Sequence, residues 1–444
     1  MDDRSRLAVS VVLVVAGMIL GVTAGVLAYA EDPVQANGVV IDFGDYETVW
    51  TEADVSGFDD PLELLGFACE ENGFELVSDG ASVGSIDGNE GDWRLFAIYP
   101  GETDWVALPE PYDQNPSEFT VMAWSLSDEP TVAVDYSGTP VNGYSQKYRV
   151  VSLSPAVTEI LASVKASNVI VGVDYYSDYP ESIVQGKADG SIAVVGSYTS
   201  PSFELITDTN PDIVICDGSQ TSQVKMADRL RDVGIDAVVT YPGESLESIM
   251  DNIYIVGTSI GYQLAAKGVI EDTDYVMDEI RTATGADHSE PIDTMISLEP
   301  DISPWISGTG TYLDSVVTSM GGNNVFSEWF GWVHITSDRI PYANPQKIII
   351  VTTEYSATQE EYDHLYNSLS PQWQLTDAWR NGEVYVICED AAAMVQRAGP
   401  RIAQTAELIS TILYPGSSDI EVPKIIGSEY MDYLTFSADM SYND

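Results

Sequence analysis

The sequence predicts an α/β fold in which two αβ lobes are joined by one long linking helix and preceded by a small α+β domain. Three observations support this organisation. From Tyr148 onward, short apolar strand patterns alternate with helical patterns, which is typical of parallel sheets covered by helices. A proline-free helical pattern over 245–283 divides that region in two. Residues 31–138 instead carry one helical pattern and several short strand patterns separated by turn residues.

The first 30 residues predict a membrane anchor or a signal segment. Leu7–Ala30 contains no charged residue, and at about 1.5 Å per residue it is long enough to cross a bilayer core of roughly 30 Å. Arg4 and Arg6 precede it, so the positive-inside rule places the rest of the chain in an extracytoplasmic, cell-surface or periplasm-like space. The final Ala-Tyr-Ala also fits a cleavage site, after which the protein would be secreted, but the length of the run favours an anchor.

Residues 31–138 are expected to form the small α+β domain. Leu62, Leu65 and Cys69 recur at helical spacing, and Gly73 follows them as a C-cap. The later runs RLFAIYP, FTVMAWSL and TVAVDYSG predict strands. Because the next stretch is rich in turn residues, 139–146 is expected to be a linker.

The two lobes are predicted at 147–244 and 284–414. Strand candidates are YRVVSL, VIVGV, PDIVICDG and AVVTYP in the first lobe, and DTMISLE, KIIIVT and GEVYVI in the second. The final helix of the second lobe should bury one stripe, namely Ile402, Ala406, Ile409 and Leu413.

The linking helix is predicted over 245–283 from apolar residues that repeat at three and four, which are Ile249, Ile253, Val256, Ile260 and Leu264. Glycines lower its helix propensity, so packing must compensate. Residues 415–444 are acidic and tyrosine-rich without periodicity, and they predict an acidic tail.

Charge and composition exclude several functions. The chain has 18 basic and 70 acidic residues, a formal charge of -52, and such a surface repels nucleic acid, so no nucleic-acid partner is expected. Cys69, Cys216 and Cys388 lie far apart, and there are three histidines, so neither a zinc site nor a disulfide framework is indicated. Without an HExxH motif or clustered metal ligands, we expect no enzymatic activity.

One short pattern occurs twice. In SFELITDTNPDIVI and SDRIPYANPQKIIIV, an acid (Glu204 or Asp338) stands six residues before Asn-Pro, which leads into a β-branched run. Each predicts a helix that stops before proline and feeds a buried strand. The acids have an ordinary explanation, since acids near a helix start complement its dipole.

The motifs YRVVSLSPAVTEIL, VIVGVDYYSDYP, VVGSYTSPSFELITDTNPDIVI and PQWQLTDAWRNGEVYVI occur in order along the chain. Over about 147–414 the chain thereby resembles the class III substrate-binding proteins of ABC importers for cobalamin, haem and iron–siderophore complexes. The resemblance implies two αβ lobes, a rigid linking helix, a ligand between the lobes and a monomer. Its partner would be an ABC permease dimer with ATPase subunits. In that family each lobe carries a surface acid that docks against permease arginines; Glu204 matches the first, and Asp338 stands where Glu is usual.

The resemblance also implies a ligand cleft. The matching positions are Pro155, Tyr176 and Tyr198 in the first lobe and Trp305, Trp332 and Arg397 in the second. Arg397 would meet a propionate, an amide or a phosphate. Cobalamin-binding relatives carry an acid four residues before this arginine, whereas this chain has Ala393.

The expected ligands are, in order, a corrinoid of the cobalamin type, haem and a ferric siderophore. His334 is a possible axial metal ligand, although an exposed surface histidine is the simpler interpretation. Tyr176 and Tyr198 are the tyrosine candidates for haem ligation. A surface-structural or adhesion protein is the alternative from another class; it predicts oligomeric contacts and an unoccupied cleft.

Residues 38–138 are loosely similar to the carboxyl-terminal domain of transcobalamin-type carriers. This similarity implies that Trp93, Trp105 and Trp124 cover a corrinoid from above. The alternative is a stalk or adhesion module in which these tryptophans form the core.

Overall fold

The computed structural model describes residues 38–100, 102–109, 112–139, 141, 146–286, 290–416 and 420–440. The anchor or signal segment predicted at 1–30 lies outside these ranges. Within them, no helix combines the length and the apolar character that crossing a bilayer requires. The described chain is built on three main sheets, which define an amino-terminal unit (38–141), an N-lobe (146–244) and a C-lobe (290–440).

The amino-terminal unit packs one helix against a five-stranded mixed sheet of order β2-β1-β8-β6-β7, beside a three-stranded antiparallel sheet. Its elements are α1 Pro61–Asn72, β1 Gly38–Asp42, β2 Thr48–Glu52, β3 Leu76–Ser78, β4 Val83–Ile86, β5 Asn89–Glu90, β6 Arg94–Ile98, β7 Val106–Ala107 and β8 Val121–Ser125. The carboxylate of Asp60 caps α1 by accepting from the Glu63 N–H, and Gly73 ends it at φ +73°, as its position predicts.

The N-lobe contains a five-stranded, wholly parallel sheet of order β11-β10-β9-β14-β15. Its strands are near-continuous apolar runs because helices cover both faces. The elements are β9 Val150–Ser152, α2 Pro155–Ser163, β10 Ile170–Val173, α3 Glu181–Asp189, β11 Ala193–Val194, β12 Gly196–Ser197, β13 Ser200–Pro201, α4 Phe203–Asp208, β14 Ile213–Asp217, α5 Thr221–Arg231 and β15 Asp236–Thr240.

The C-lobe has a seven-stranded mixed sheet of order β19-β17-β16-β20-β21-β22, with β18 also paired to β16. Its elements are β16 Ile292–Ser297, β17 Trp305–Ser307, α8 Tyr312–Ser319, β18 Gly322–Asn324, β19 Trp332–His334, α9 Ile340–Ala343, β20 Lys347–Val351, α10 Gln359–Ser368, α11 Asp377–Arg380, β21 Val384–Ile387, α12 Glu389–Val395, α13 Ile402–Leu413 and β22 Ile425–Ile426.

The connection between the lobes corrects the prediction of one long helix over 245–283. It consists of two helices, α6 Leu246–Ser259 and α7 Gln263–Thr284, separated by a sharp turn at Gly261, whose φ is +82°. The turn closes when the N–H of Tyr262 donates to the carbonyl of Gly257 at 2.7 Å. A Cβ on Gly257 would lie 2.4 Å from the Cβ of Ala266, so only glycine allows the helices to pack this closely. Leu264, the last residue of the apolar repeat, is accordingly 87 % exposed.

The amino-terminal unit rests on both of these helices. The hydroxyl of Tyr46 donates to Asp251 on α6 at 3.3 Å, and the hydroxyls of Thr48 and Tyr254 are hydrogen-bonded to each other. Lys267 on α7 approaches Glu47 at 4.0 Å. The unit is therefore attached on either side of the turn.

The end of the amino-terminal unit, just before the linker predicted at 139–146, packs against the N-lobe. Asp135 is fully buried and accepts hydrogen bonds from Arg231 at 3.0 Å and from the N–H of Val239 at 2.7 Å. The N–H of Tyr136 donates to the carbonyl of Val239 on β15, and Val141 is buried. Turn-forming residues thus fasten the unit to the edge of the N-lobe sheet.

The predicted acidic tail is part of the C-lobe over 420–440. β22 pairs in parallel with β21, and the carboxylate of Glu407 accepts from the backbone N–H groups of Thr435, Phe436 and Ser437 at 2.6–3.2 Å. Because this segment covers α13 from outside, every residue of that helix is buried instead of the single stripe predicted.

The repeated Asn-Pro pattern has a backbone explanation in both lobes. Asn210 follows α4 at φ +48°, and Asn344 ends α9 at φ +44°. Asparagine tolerates this left-handed conformation, and the following proline prevents the helix from continuing. Both acids therefore precede a helix end of the kind that the sequence predicts.

We expect Asn210→Val to lower the free energy of unfolding by about 1–2 kcal/mol, because a β-branched residue is strained at positive φ. Asn210→Gly should leave stability nearly unchanged. Urea denaturation of both variants checks this, and equal stabilities of the two would contradict the left-handed assignment.

We expect Glu407→Gln to lower the free energy of unfolding by about 1–3 kcal/mol, because the amide supplies only one acceptor oxygen to the three N–H groups. The control is Glu279→Gln, which changes an exposed glutamate on α7. Thermal and urea unfolding of both variants gives the measurement; a loss no larger than that of the control would show that the carboxylate does not hold this segment.

Candidate functional site

The lobes meet at a buried carboxylate. Glu159 lies on α2, a helix that Ser154 caps, and its side chain is 1 % exposed. Its oxygens accept from Arg401 of the C-lobe at 2.6 and 2.8 Å and from Arg397 at 2.7 Å. Burial alone would raise the pKa of the Glu159 carboxyl, but the guanidinium groups of Arg401 and Arg397 lower it below its usual value. The residue is therefore an ionised carboxylate held between two cations from the opposite lobe.

Arg397 is committed to the N-lobe. It also donates to the carboxylate of Asp178 at 2.6 Å and to the carbonyl of Tyr176 at 3.4 Å, and its side chain is 12 % exposed. The guanidinium of Arg401 lies 4.1 Å from the ring centre of Tyr179. Arg397, which the sequence predicts as a ligand contact, thus lies at the expected boundary but already has two acidic partners.

The backbones also approach closely here. A Cβ on Gly243 would lie 2.3 Å from the Cβ of Ala398, and one on Gly399 would lie 3.6 Å from the Cα of Ala156. Glycine at 243 therefore permits the C-lobe loop 396–401 to lie against the N-lobe. This contact joins the N-lobe segments that follow β9 and β15 to the C-lobe, at the carboxyl edge of the N-lobe sheet, the kind of edge where open α/β folds bind ligands.

Aromatic residues flank this contact on the N-lobe side. Tyr175 is 64 % exposed, and its ring meets that of Tyr176 edge to face, with centroids 5.2 Å apart. Pro155 is the first residue of α2 and is half-buried, one turn before Glu159. These residues belong to the segments that hold Asp178 and Glu159, so the predicted positions Pro155 and Tyr176 lie beside the ion cluster.

The C-lobe contributes a second aromatic group. Trp332 meets Tyr312 edge to face with centroids 6.5 Å apart, and the Tyr312 hydroxyl donates at 2.8 Å to the carbonyl of Val395, two residues before Arg397. The rings of Trp305 and His334 lie 4.9 Å apart, and His334 is exposed. The structure thus places both tryptophans at half-buried positions on this lobe.

Acidic groups accompany both aromatic sets. Burial raises the pKa of Asp174, which precedes Tyr175, to about 6. Burial also raises the pKa of Glu299, beside Trp305, and the neighbouring carboxylates of Asp301 and Glu354 raise it further. The walls therefore combine aromatic faces with carboxyl groups.

The prediction that Tyr198 lines the ligand cleft is wrong. It is 4 % exposed, and its hydroxyl lies 2.7 Å from that of Ser219 and 3.3 Å from the carboxylate of Asp217. The side-chain amide of Gln223 holds its carbonyl at 2.7 Å. The β12–β13 hairpin turns the ring inward, so Tyr198 presents no surface to a ligand.

The tryptophans of the amino-terminal unit also depart from expectation. Trp93 is 3 % exposed and Trp124 is fully buried, both within the core of the unit itself. Trp105 is half-buried, and its indole N–H donates to the carbonyl of Thr131 at 3.3 Å. Trp93 and Trp124 therefore cannot cover a ligand, and the alternative of core tryptophans holds for these two.

The two candidate docking acids lie on the surface. The Glu204 side chain is 77 % exposed on α4 and lies 3.7 Å from Arg229. Asp338 is exposed in the single turn that precedes α9. An exposed ion pair contributes little to stability, so Glu204 remains available to an external arginine.

Within the described ranges, side chains that could bind a metal do not cluster, and one nucleophile motif occurs in a different structural context. No group of three or more His, Cys, Asp or Glu side chains there could hold a metal ion. Two stretches, 80–84 and 257–261, match the nucleophile pattern G-x-S-x-G. Ser82 lies in a turn before β4, and Ser259 is buried at the last position of α6, whereas the motif needs an exposed serine between a strand and a helix.

Sequence reasoning missed the partners of Arg397 and two exposed rings. Glu159 and Asp178 sit inside quoted motifs, yet nothing local indicates which arginine they meet. The sequence predicts Tyr176 as a ligand contact but not its exposed neighbour Tyr175. Phe330, which is not predicted either, is 68 % exposed beside Gly310. The aromatic doublet in DYYSDYP and the aromatic spacing in EWFGW are the signals that could have indicated them.

Comparisons with known proteins agree with this geometry. The family model described as periplasmic binding protein matches residues 150–391. An uncharacterized ABC transporter substrate-binding lipoprotein, YvrC, of Bacillus subtilis is 22% identical over 288 residues, which are 64% of this chain and 86% of the relative. A vitamin B12-binding protein of Salmonella choleraesuis is 28% identical over 209 residues, or 46% of this chain and 71% of the relative.

Solved structures resemble the same part of the chain. A periplasmic heme binding protein from Pseudomonas aeruginosa matches with a TM-score of 0.53 and 20% identity, covering 63% of this chain and 96% of its own. A possible iron-binding, periplasmic solute-binding protein from Staphylococcus epidermidis matches with a TM-score of 0.52 and 21% identity, covering 61% and 100%. These likenesses show the mixed α/β, two-lobe fold. Since the family model spans more than half of the chain, this protein belongs to the periplasmic binding protein family.

Proposed function

We propose that this protein is the extracytoplasmic solute-binding component of an ABC importer and that it captures a corrinoid between its lobes. The observation that carries the proposal is that Tyr175 and Tyr176 of the N-lobe belong to the segment that accepts hydrogen bonds from Arg397. On the C-lobe, Trp332 contacts Tyr312, whose hydroxyl donates to Val395, two residues before that arginine. A flat, amphipathic macrocycle needs broad apolar walls with a few polar groups that fix its orientation. Curated relatives named as vitamin B12-binding proteins support the corrinoid.

Haem or a ferric siderophore is the second candidate. Solved proteins of similar fold are named as heme-binding and iron-binding. The exposed His334 beside Trp305 supplies an imidazole, and Tyr176 supplies a phenol, either of which can ligate haem iron. No enzymatic step is part of the proposal.

Delivery would involve both lobes. The loaded monomer presents Glu204 and Asp338 to arginines of the permease dimer, which its ATPase subunits drive. The lobes are connected by helices and joined by the buried ion cluster, so ligand entry requires only a small opening between them.

Titration of the purified full-length protein tests the ligand. We expect one-to-one, submicromolar binding of cyanocobalamin by calorimetry and visible absorption, with cobinamide and haemin as comparison ligands. Trp332→Ala should raise Kd about tenfold or more, because loss of an aromatic contact worth about 1–3 kcal/mol weakens binding by that factor. Tyr342→Ala, which truncates an 88 % exposed ring on α9, is the matched control. Binding of haemin but not of corrinoids would favour the second candidate. Absence of binding to corrinoids, haemin and ferric siderophores would favour a surface-structural role.

Charge reversal tests docking. We expect Glu204→Arg combined with Asp338→Arg to abolish ligand uptake in cells or proteoliposomes that contain the cognate permease, while ligand affinity stays unchanged. The reason is that like charges would then face each other across the interface. Asp232→Arg with Glu360→Arg, which reverses one exposed acid in each lobe, is the control. Uptake that survives the first pair would remove these acids from the docking surface.

A further inference from the structure

We infer that the cleft selects ligands that carry no net negative charge, such as amide-bearing corrinoids or hydroxamate complexes, over macrocycles or chelates that present carboxylates or other anions. The inference rests on the proposed function and adds the charge of the ligand to it. It follows from the ion pairs that the positively charged side chains of the cleft loops already form.

Five of the six cleft loops follow strands at the carboxyl edges of the two lobe sheets, where α/β folds bind ligands, and the sixth, 396–401, follows α12. We define the six loops as residues 174–180, 217–220, 241–245, 298–304, 352–358 and 396–401. Arg397 and Arg401 are their only arginines, and these loops contain no lysine. An anionic ligand that contacts only these loops would therefore have to pair with one of these two side chains; the exposed Arg339, which follows β19, lies outside them.

Both arginines are already neutralised. Arg401 makes a bidentate contact with Glu159, and Arg397 bridges Glu159 and Asp178, with distances of 2.6–2.8 Å. Their side chains are 5 % and 12 % exposed. A ligand carboxylate that displaced Glu159 would leave a buried acid without its partners, which is costly. Displacement of Asp178, which is partly exposed, would still require the ligand to replace an existing ion pair.

The nearest lysine supplies no compensation. Lys187 on α3 donates to the carbonyls of Tyr175 and Ser177 at 2.8 and 2.6 Å. Its ammonium group thus supports the 174–180 loop from behind. Breaking these bonds to reach a ligand would disturb the loop that carries Tyr176 and Asp178.

The remaining ionisable groups of the cleft loops are tyrosine phenols and six carboxyls, which are Asp174, Asp217, Glu244, Glu299, Asp301 and Glu354. Whether ionised or protonated, these groups provide no positive charge. A ligand anion entering the cleft would lose water without gaining a cationic partner. Amide N–H groups or an ammonium group would instead find acceptors there.

Matched ligands of the same shape test the inference. The probes are cyanocobalamin and the product in which its side-chain amides are hydrolysed to carboxylates, titrated into the full-length protein. We expect the amide form to bind at least tenfold more tightly at low ionic strength, and the difference to narrow as salt is added, because salt screens the repulsion. Ferrioxamine B, which carries an ammonium group, and anionic ferric enterobactin form a second pair with the same expectation.

A variant links the preference to Arg397. Asp178→Asn removes the charge that pairs with one edge of the Arg397 guanidinium. It should strengthen binding of the carboxylate form and so reduce the ratio of the two Kd values, carboxylate form over amide form, severalfold. Asp178 is 57 % exposed, so the variant should fold. Asp128→Asn, which removes the acid of the surface ion pair with Arg94 at 2.9 Å, is the control and should leave the preference unchanged.

The outcomes separate this inference from the proposed function. Equal or tighter binding of the anionic member of a pair would overturn the charge inference while leaving the solute-binding role intact. If the ratio of the two Kd values is unchanged in Asp178→Asn, the pairing of Arg397 with Asp178 is not the cause of the preference. If neither member of either pair binds, both the proposed function and the inference fail.

Discussion

The placement of the lobes depends on the buried carboxylate of Glu159. One ionic cluster joins Glu159 of the N-lobe to Arg397 and Arg401, which lie more than 230 positions later in the C-lobe, with Asp178 at its exposed end. Such a cluster adds little net stability, because desolvation offsets the attraction, but its geometry is demanding. Loop 396–401 must bring both guanidinium groups to one carboxylate. The close approach at Gly243 and Ala398 follows from that requirement. The cluster thus fixes the contact between the lobes and pairs both arginines of loop 396–401 with acids of the N-lobe.

Local patterns were sufficient for much of the fold. The parallel sheet of the N-lobe, the Gly73 cap and the Asn-Pro helix ends are encoded within a few residues, and the sequence predicts them directly. The turn at Gly261 was missed because the apolar repeat continues into it, and what bends the chain is contact between Gly257 and Ala266. The segment 420–440 was missed because its strand has two residues and its main anchor is a side chain from another helix, Glu407. Both failures concern tertiary packing, which periodicity does not report.

The candidate site likewise combines features that the local sequence indicates with features that depend on tertiary packing. The resemblance predicts Pro155, Tyr176, Trp332 and Arg397 as ligand contacts, and this remains a prediction. The structure places Tyr176 and Arg397 at the contact between the lobes, and Pro155 begins the helix that carries Glu159. Their surroundings were not predictable, because an aromatic residue in a loop can turn inward, as Tyr198 and Trp124 do. Nor does the sequence reveal that Arg397 is neutralised, since its acids lie more than 200 positions away. The sequence therefore indicates candidate residues, but it does not indicate whether their side chains are exposed or already paired.

The attachment of the amino-terminal unit has a mechanical consequence. Tyr46 and Thr48 hold α6 while Glu47 approaches Lys267 on α7, so a single β-turn region of the unit spans both sides of the bend at Gly261. A bend that is supported from outside resists changes in its angle more than a free one does. The elastic stiffness of the connection is therefore set in part by residues outside both lobes. Fluctuations of the lobes about this bend, which for such motions fall in the microsecond to millisecond range, should accordingly have a smaller amplitude than in a two-lobe protein that lacks this unit.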